Sequence, residues 1–190
     1  MKRALVIAAL IQFAVPAVFA ADAHKAQLRD LVDSELKSLL ANAVVLEAVK
    51  AQNAQHAGIT SEEIQALDQQ WRAETSEGTG PLINKVLAKA LSRHLGGYKQ
   101  SKQGLVTEVF VMDNKGLNVG QSDVTSDYWQ GDEAKWQQTF LAGPHAVHIG
   151  EVELDESSQS YQVQVSLSVV DGGKVIGAAT FGVDVEQLNL

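Results

Sequence analysis

The hydrophobic period of this chain changes once, and that change limits the folds it can adopt. Between about residues 23 and 97, apolar residues recur every three or four positions, which is the period of a helix face. After about residue 105 they form short β-rich runs or alternate with polar residues. A helical half followed by a strand half is typical of an α+β fold, in which helices pack on an antiparallel sheet.

The first predicted helix is long. Residues 23–55 carry apolar side chains with three-and-four spacing, so one face of this helix is expected to be buried. At 1.5 Å per residue the helix would be about 50 Å long. Gly58 provides a stop after it. The apolar positions of its buried face are Leu28, Leu31, Val32, Leu36, Leu39, Leu40, Ala43, Leu46 and Val49.

Two shorter helices are predicted to follow the long one. Thr60, with Glu63 three residues later, forms a capping box that opens a second helix, and this helix runs to about Trp71. A polar link then leads to Pro81, which fits the first turn of a third helix. The glycine pair 96–97 is expected to end that helix.

Five strands are predicted after residue 97. The segment 171–173, Asp-Gly-Gly, joins the last two strands as a tight hairpin, and a short helix at about residues 132–140 lies between the second and third. We therefore predict one domain over residues 21–190, with a helical part at 21–97 and a five-stranded antiparallel sheet at 98–190. The predicted strands cover about residues 105–112, 117–121, 147–154, 161–170 and 175–185.

The first twenty residues have the composition of a secretory signal peptide. Lys2 and Arg3 form a positive start, residues 4–19 are mostly apolar, and the segment 18–20, Val-Phe-Ala, fits a cleavage site. We expect cleavage near Ala20 and a periplasmic protein. An uncleaved signal that anchors the domain is the alternative, although the stretch is shorter than the roughly 20 residues of a spanning helix.

Charge and cysteine content narrow the partners and the chemistry. The formal net charge is −8, and removal of Lys2 and Arg3 lowers it by two more. Nucleic acid and anionic membrane surfaces are therefore not expected as partners, because both need a basic face. The sequence has no Cys, which removes disulfides, thiol nucleophiles and metal–thiolate sites. It also lacks the common hydrolase, zinc-peptidase and nucleotide-binding motifs, so neither a cofactor nor enzyme activity is expected.

Four short motifs follow one another in a characteristic order. They are VFVMDNKG at residues 109–116, SDYWQGDE at 126–133, GGKVIG at 172–177 and FGVDV at 181–185. In this order and spacing the chain resembles the extracytoplasmic PAS-like sensor domains called Cache or PDC domains, over nearly all of its length after the signal peptide. The resemblance implies a ligand on the concave side of the sheet, beneath the segment that joins the second and third strands. Here that segment, called the cover below, is about residues 123–145.

The cover is also where unusual residues collect. Tyr128, Trp129 and Trp136 bring three aromatic side chains together beside Lys135 and several acidic residues. An aromatic wall with a few charged groups suits a small polar ligand, and Lys135 could contact a carboxylate. The alternative is that the tryptophans only attach the cover to the sheet and that Lys135 is solvated.

Two further residues are candidates for the pocket. Asp184 lies near the end of the last strand, where the resemblance implies an acidic pocket residue, and a plain strand-end carboxylate is the alternative. His145 is predicted at the pocket rim. With His148 it has a spacing that would suit a metal on a helix, but the sequence around the pair indicates loop and strand, so no metal is expected. Family members that bind amino acids carry an arginine before their tryptophan, whereas residues 134–137 read Ala-Lys-Trp-Gln, so that specificity does not carry over.

Three functional hypotheses result. The first is an exported sensor domain that binds a small molecule such as an organic acid and acts through a membrane partner, for example a histidine kinase or a diguanylate cyclase. The second is a protein-interaction or homodimerisation module in which the long helix at residues 23–55 is the working surface. The third is a hydrolase or lyase, which would require converging polar groups with a nucleophile or a metal among them.

Overall fold

The computed structural model describes residues 17–155 and 160–189, with side chains described for residues 24–154 and 160–188. Most of the predicted signal peptide therefore lies outside the described residues. Within these ranges, none of the helices combines the length and the apolar character needed to cross a membrane. The predicted α+β fold is confirmed, because helices precede and cover a five-stranded antiparallel sheet.

The described elements follow the predicted order, with helices first and strands after them. The helices are α1 (Ala17–Leu31), a π-helical turn (Val32–Leu36), α2 (Lys37–Leu40), α3 (Ala43–Gln55), α4 (Ser61–Glu77), α5 (Pro81–Leu87), α6 (Ala90–Ser101) and α7 (Ala134–Gln137). The strands are β1 (Val106–Met112), β2 (Asn118–Gln121), β3 (Val147–Asp155), β4 (Ser160–Asp171) and β5 (Lys174–Asp184).

The long N-terminal helix is present but interrupted before α3. Asn42 has an extended backbone, and its side chain accepts a hydrogen bond from the Val44 N–H, so it caps the start of a new helix. Upstream, the buried stripe recurs every four residues, which exceeds the 3.6 residues of an α-helical turn. A four-residue repeat would therefore rotate gradually around an α-helix and away from the sheet. The wider π-helical turn at Val32–Leu36 reduces this rotation and keeps the buried stripe facing the sheet.

Two other helix boundaries differ from the prediction. The capping box of Thr60 and Glu63 is confirmed, but α4 continues past Trp71 to Glu77 and ends at Gly78, whose φ is 80°. The third predicted helix is divided into α5 and α6, and the glycine pair 96–97 lies inside α6. Helix α6 continues through the glycines because Leu95 before them and Tyr98 after them both pack on the core.

The sheet has the strand order β2-β1-β5-β4-β3, and each described pairing is antiparallel. Strand β5 lies at the centre between β1 and β4, and β3 forms one edge. The predicted tight hairpin joins β4 to β5 through Gly172 and Gly173, with φ values of 56° and 81° that glycine adopts without strain. This arrangement is consistent with a PAS/Cache-like fold.

The main core fills the space between the N-terminal helices and one face of the sheet. The sheet contributes inward-facing residues such as Val111, Val165 and Phe181, each fully buried. Most of the apolar stripe of the helix therefore packs on the sheet and on α6. Of the nine predicted stripe residues, five are at most 3% exposed, three are partly buried and Ala43 is exposed. The five are Leu28, Val32, Leu36, Leu40 and Val49, and the three are Leu31, Leu39 and Leu46. Val45 is also fully buried.

The cap at Asn42 gives the first testable prediction. Asn42→Ala removes the acceptor for the Val44 N–H and should lower the free energy of unfolding by about 1 kcal/mol. Asn42→Asp keeps a carboxylate oxygen at the same place and should remain close to the parent protein. Urea unfolding followed by circular dichroism measures both variants. Equal stability of Asn42→Ala and the parent protein would show that the interruption does not depend on this cap.

Candidate functional site

The cover packs on the sheet face that the N-terminal helices leave free. On this face, Phe110 of β1 pairs with Thr180 of β5, Thr180 pairs with Ser166 of β4, and Ser166 pairs with His148 of β3. Paired residues of antiparallel strands lie side by side, so these four side chains form one row across four strands. We call this set, Phe110, Thr180, Ser166 and His148, the polar row.

The centre of the polar row is buried although it is not apolar. Ser166 and Thr180 are each 0% exposed, and their hydroxyl oxygens lie 2.9 Å apart. Within the described part of the chain these hydroxyls hydrogen-bond only to each other. Two hydroxyls that share one hydrogen bond use one of their two O–H hydrogens, which leaves one donor over. The sheet therefore holds a buried donor beneath the cover.

The cover supplies an aromatic roof next to this row. Trp136 and Phe140 stack with ring centroids 4.7 Å apart and an interplanar angle of 18°. The Trp136 indole N–H also donates to the carbonyl of Asp113 at 3.1 Å, which ties the roof to the end of β1. The two rings pack against Phe110, Met112 and Ala178 of the sheet.

A second attachment of the cover is polar. The Ser168 hydroxyl, one pleat along β4 from Ser166, donates toward the carbonyl oxygens of Thr139 at 3.0 Å and Gly143 at 2.7 Å. Thr139 and Gly143 follow α7 and belong to the last part of the cover. A side-chain hydroxyl of β4 therefore holds this part of the cover on the sheet. Aromatic packing on one side and hydrogen bonds on the other thus close the cover over the sheet.

Lys135 lies at the edge of this roof. Its ammonium is 5.6 Å from the centre of the Phe110 ring, 2.8 Å from a carboxylate oxygen of Glu133 and 3.3 Å from the amide oxygen of Gln130. Its side chain is only 15% exposed, so it is folded onto the cover and not solvated. A cation thus lies at the Phe110 end of the polar row.

Tyr128 and Trp129 lie in a different cluster. The Tyr128 ring stacks on Trp71 of α4 at 5.3 Å, and the backbone N–H groups of Tyr128 and Trp129 donate to one carboxylate oxygen of Asp68 at 2.9 and 3.0 Å. The Trp129 indole donates to the carbonyl of Lys115 at 2.8 Å. These two aromatic residues attach the start of the cover to α4 and to the β1–β2 turn, and the structure does not bring them to the polar row.

The two remaining predicted site residues also lie away from the polar row. His145 is exposed and lines a groove on the helix side of the sheet. Asp184 accepts the backbone N–H groups of Glu186 at 2.8 Å and Gln187 at 3.3 Å, so its carboxylate caps the turn after β5. It is four residues from Thr180, which is about 13 Å along a strand. Across residues 24–154 and 160–188, no cluster of three or more His, Asp or Glu could hold a metal ion.

Ser166 and Thr180 were not singled out in the sequence. Alternation along β4 shows that Ser166 and Ser168 share a polar face, but a polar face is usually exposed to water. The signal that could have identified them is the position of the cover, because an insertion packed on that face buries its hydroxyls.

The end of β1 is organised by one fully buried carboxylate. Asp113 is 0% exposed, and one of its oxygens accepts the N–H groups of Lys115 at 2.8 Å and Leu117 at 3.0 Å. The other oxygen accepts the amide of Gln52 at 3.0 Å and lies 2.7 Å from Nδ1 of His56. A single side chain therefore joins the β1–β2 turn to α3.

Removal of this carboxylate gives the second prediction. Asp113→Ala leaves several buried donors without an acceptor and should lower the free energy of unfolding by about 3 kcal/mol or more. Asp113→Asn keeps one oxygen for the turn N–H groups and should lose less. Urea unfolding of both variants tests this, and a loss below about 1 kcal/mol for Asp113→Ala would contradict the assigned role.

Lys89, at the start of α6, completes the same polar region. Its ammonium donates to the side-chain oxygen of Gln52 and to the carbonyl of Val119, both at 2.8 Å. The pKa of Lys89 is lowered from 10.5 to about 8, mainly by burial and also by the neighbouring charge of Lys85, while Asp113 opposes the shift. The amine therefore loses its proton far more readily than an ordinary lysine.

The lowered pKa gives the third prediction. The folded-state pKa of Lys89 lies below its ordinary value of 10.5. Between about pH 8 and pH 10.5 the unfolded chain therefore binds more protons than the folded chain. The contribution of Lys89 to the free energy of unfolding should thus rise as pH increases through this window. Urea unfolding at pH 8 and about pH 9.5 should show this rise in the parent protein relative to Lys89→Met. Parallel pH profiles of the two proteins would contradict it.

Comparison with known proteins adds similarities of fold. No protein-family model matches the chain, and no curated protein matches it. Among solved structures, the sensor domain of the V. cholerae histidine kinase DctB is 13% identical, with a TM-score of 0.48, and the match covers 90% of this chain and 57% of that one. The sensory domain of the Campylobacter jejuni chemoreceptor Tlp3 with isoleucine bound is 14% identical, with a TM-score of 0.40 and coverages of 92% and 66%.

A third similar structure is the ligand-binding domain of the Pseudomonas fluorescens chemoreceptor CtaA in complex with L-serine. It is 8% identical, with a TM-score of 0.40, and the match covers 67% of this chain and 60% of that one. The chain thus spans 57% to 66% of the length of these three structures. All three TM-scores lie below 0.5, so the fold is defined here by the strand order and helix packing of the chain itself.

Proposed function

We propose that this protein is an exported sensor domain that binds a small organic acid between the cover and the polar row. The observation that carries the proposal is the fully buried hydroxyl pair of Ser166 and Thr180 next to Phe110. Phe110 in turn packs against Trp136 and lies 5.6 Å from the Lys135 ammonium. This arrangement places hydrogen-bonding groups, an aromatic roof and a cation around one part of the sheet, which is the composition of a site for a small polar molecule.

The buried hydroxyl pair lowers the stability of the folded protein if the cover serves only to protect the core. Burial of a polar group without a full set of hydrogen bonds costs about 1 to 3 kcal/mol, and apolar side chains of similar shape would avoid that cost. A ligand oxygen that replaces part of the roof would accept the spare O–H hydrogen of the pair. The buried donor therefore favours a binding role for this face of the sheet.

Lys135 favours an acid as the ligand. Its ammonium is paired with Glu133, whose side chain is 37% exposed, so that pairing is partly screened by water. A ligand carboxylate near Phe110 could take the place of Glu133 and would be more deeply buried. A charge-assisted hydrogen bond to a buried cation is stronger than one at the surface, so the exchange favours the ligand.

The cover has to open for a ligand to reach the polar row. Helix α7 contains only four residues, and Gly143 follows it with a φ of 114°, which glycine adopts without strain. The start of the cover is held more tightly, since a side chain at Gly131 would meet the Trp129 ring at 2.4 Å. We therefore assign the moving part to the segment from α7 to Gly143, with the Tyr128 cluster as its fixed end.

The location and the partner form the second part of the proposal. The signal peptide composition of residues 1–20 supports export to the periplasm with cleavage near Ala20. The resemblance to Cache domains supports a membrane partner, such as a histidine kinase or a diguanylate cyclase, that receives the ligand-bound state. The ligand-binding part can be tested without knowledge of the partner.

The fourth prediction tests ligand binding. Thermal unfolding of the exported protein is measured against organic acids, amines and nucleobases. A ligand that binds only the folded state adds about 2.7 kcal/mol of stability at a concentration one hundred times its Kd. We expect hits among the acids, with binding weakened at least about tenfold in Lys135→Met. Lys174→Gln removes an exposed cation from the β4–β5 hairpin and serves as the matched control.

A double variant separates binding from folding. Ser166→Ala with Thr180→Val replaces both hydroxyls by apolar groups of similar shape, so the ligand-free protein should be about as stable as its parent or slightly more so. The same variant should bind the acid at least about tenfold more weakly. Binding that is unchanged in both this variant and Lys135→Met, or no stabilising compound in the library, would contradict the proposal.

A further inference from the structure

A separate groove lies on the helix side of the sheet, between the N-terminal helix and the edge strand β3. Its volume is about 580 Å³, within the range of small-molecule sites. Its floor is apolar and includes Val32, Val147 and Ile149. The charged or ionisable residues that line it are Lys25, Arg29, Asp33, Lys37, His145 and His148.

The charged residues of the helix wall form one stripe. Lys25, Arg29, Asp33 and Lys37 follow one another at intervals of four residues, so they point to the same side. Neighbouring members are about 6 Å apart along the axis, given a rise of 1.5 Å per residue. The π-helical turn at Val32–Leu36 helps to keep this stripe in line, as it does for the buried stripe.

Only part of the positive charge in this groove is neutralised by the protein. Asp33 pairs with Lys37 at 2.5 Å. Lys25 and Arg29 have no carboxylate within 4.0 Å among the side chains of residues 24–154 and 160–188. The chain as a whole carries a net charge of −8, so a groove with two cations unpaired among the described side chains has the opposite charge to the rest of the protein. Such a concave positive site concentrates anions.

A histidine adds a hydrogen-bond donor to this groove. His145, which precedes β3, lines the groove together with the helix stripe. An imidazole has at least one N–H donor in each protonation state, so the His145 ring can donate to an anion. Two cations and the His145 imidazole around an apolar floor together suit a small molecule that carries several oxyanions on a short carbon frame.

We infer that this groove is a second binding site, for a small organic polycarboxylate with charged groups about 6 Å apart. One carboxylate pairs with Arg29, whose planar guanidinium can bind it through two hydrogen bonds, and another pairs with Lys25. The apolar floor contacts the carbon frame. This site lies on the face of the sheet opposite to the cover, so it is distinct from the site of the proposed function.

The test is isothermal titration calorimetry of the exported protein with citrate, a tricarboxylate, and with acetate as the matched monocarboxylate. We expect citrate to bind and acetate to bind at least about tenfold more weakly, because one charge cannot engage both cations. Lys25→Gln with Arg29→Gln should weaken citrate binding at least about tenfold, and added salt should weaken it further. The control variant, Lys85→Gln with Lys174→Gln, removes two exposed cations that lie elsewhere. Its affinity for citrate should stay within about twofold of that of the parent protein.

Three results would overturn the inference. The first is the absence of citrate binding to the parent protein. The second is equal citrate affinity of the parent and the groove variant. The third is a stronger response of the groove to an acidic peptide, such as oligoglutamate, than to citrate, since the groove would then be a docking surface for a macromolecule.

The hydroxyl variant Ser166→Ala with Thr180→Val distinguishes the two sites. Citrate binding that survives in this variant and is lost in the groove variant supports the groove. The reverse pattern would place citrate beneath the cover, which would overturn the inference while supporting the proposed function.

Discussion

The arrangement of this protein depends on the buried carboxylate of Asp113 at the end of β1. Its oxygens bind the β1–β2 turn through two backbone N–H groups and bind α3 through Gln52 and His56. Its backbone carbonyl accepts the indole of Trp136 from the cover. One residue thus sets the position of the helix layer on one face of the sheet and of the roof on the other. A buried charge of this kind requires all of these donors together, which makes the region cooperative.

The elements of the fold were largely predictable because they follow from local rules. Periodicity located the helices and strands, and the capping box of Thr60 and Glu63 placed the start of α4. Boundaries that depend on tertiary contacts were not predictable in the same way. The interruption at Asn42 results from a side-chain cap that competes with a continuous helix, and α6 passes through the glycine pair 96–97 because its flanking residues pack on the core.

The candidate site was predictable only in outline. The aromatic residues drew attention to the cover, but their side chains serve two different clusters, with Trp136 on the sheet and Tyr128 against α4. A sequence shows that such residues are close in the chain and not which surface each one meets. Ser166 and Thr180 had no sequence signal of their own, since a serine on a polar strand face is ordinary until another segment buries it. Long-range packing created the site from unremarkable residues.

The central claim is that an organic acid binds beneath the roof formed by Trp136. The protein contains three tryptophans, so its indole N–H signals form a small set in a nitrogen–proton NMR spectrum. Trp71 and Trp129 belong to the fixed cluster at the start of the cover, whereas Trp136 covers the sheet. Titration with a stabilising acid should shift the Trp136 signal and leave the other two nearly unchanged. A Trp136 signal that stays in place at saturation, or shifts confined to Trp71 and Trp129, would contradict the claim.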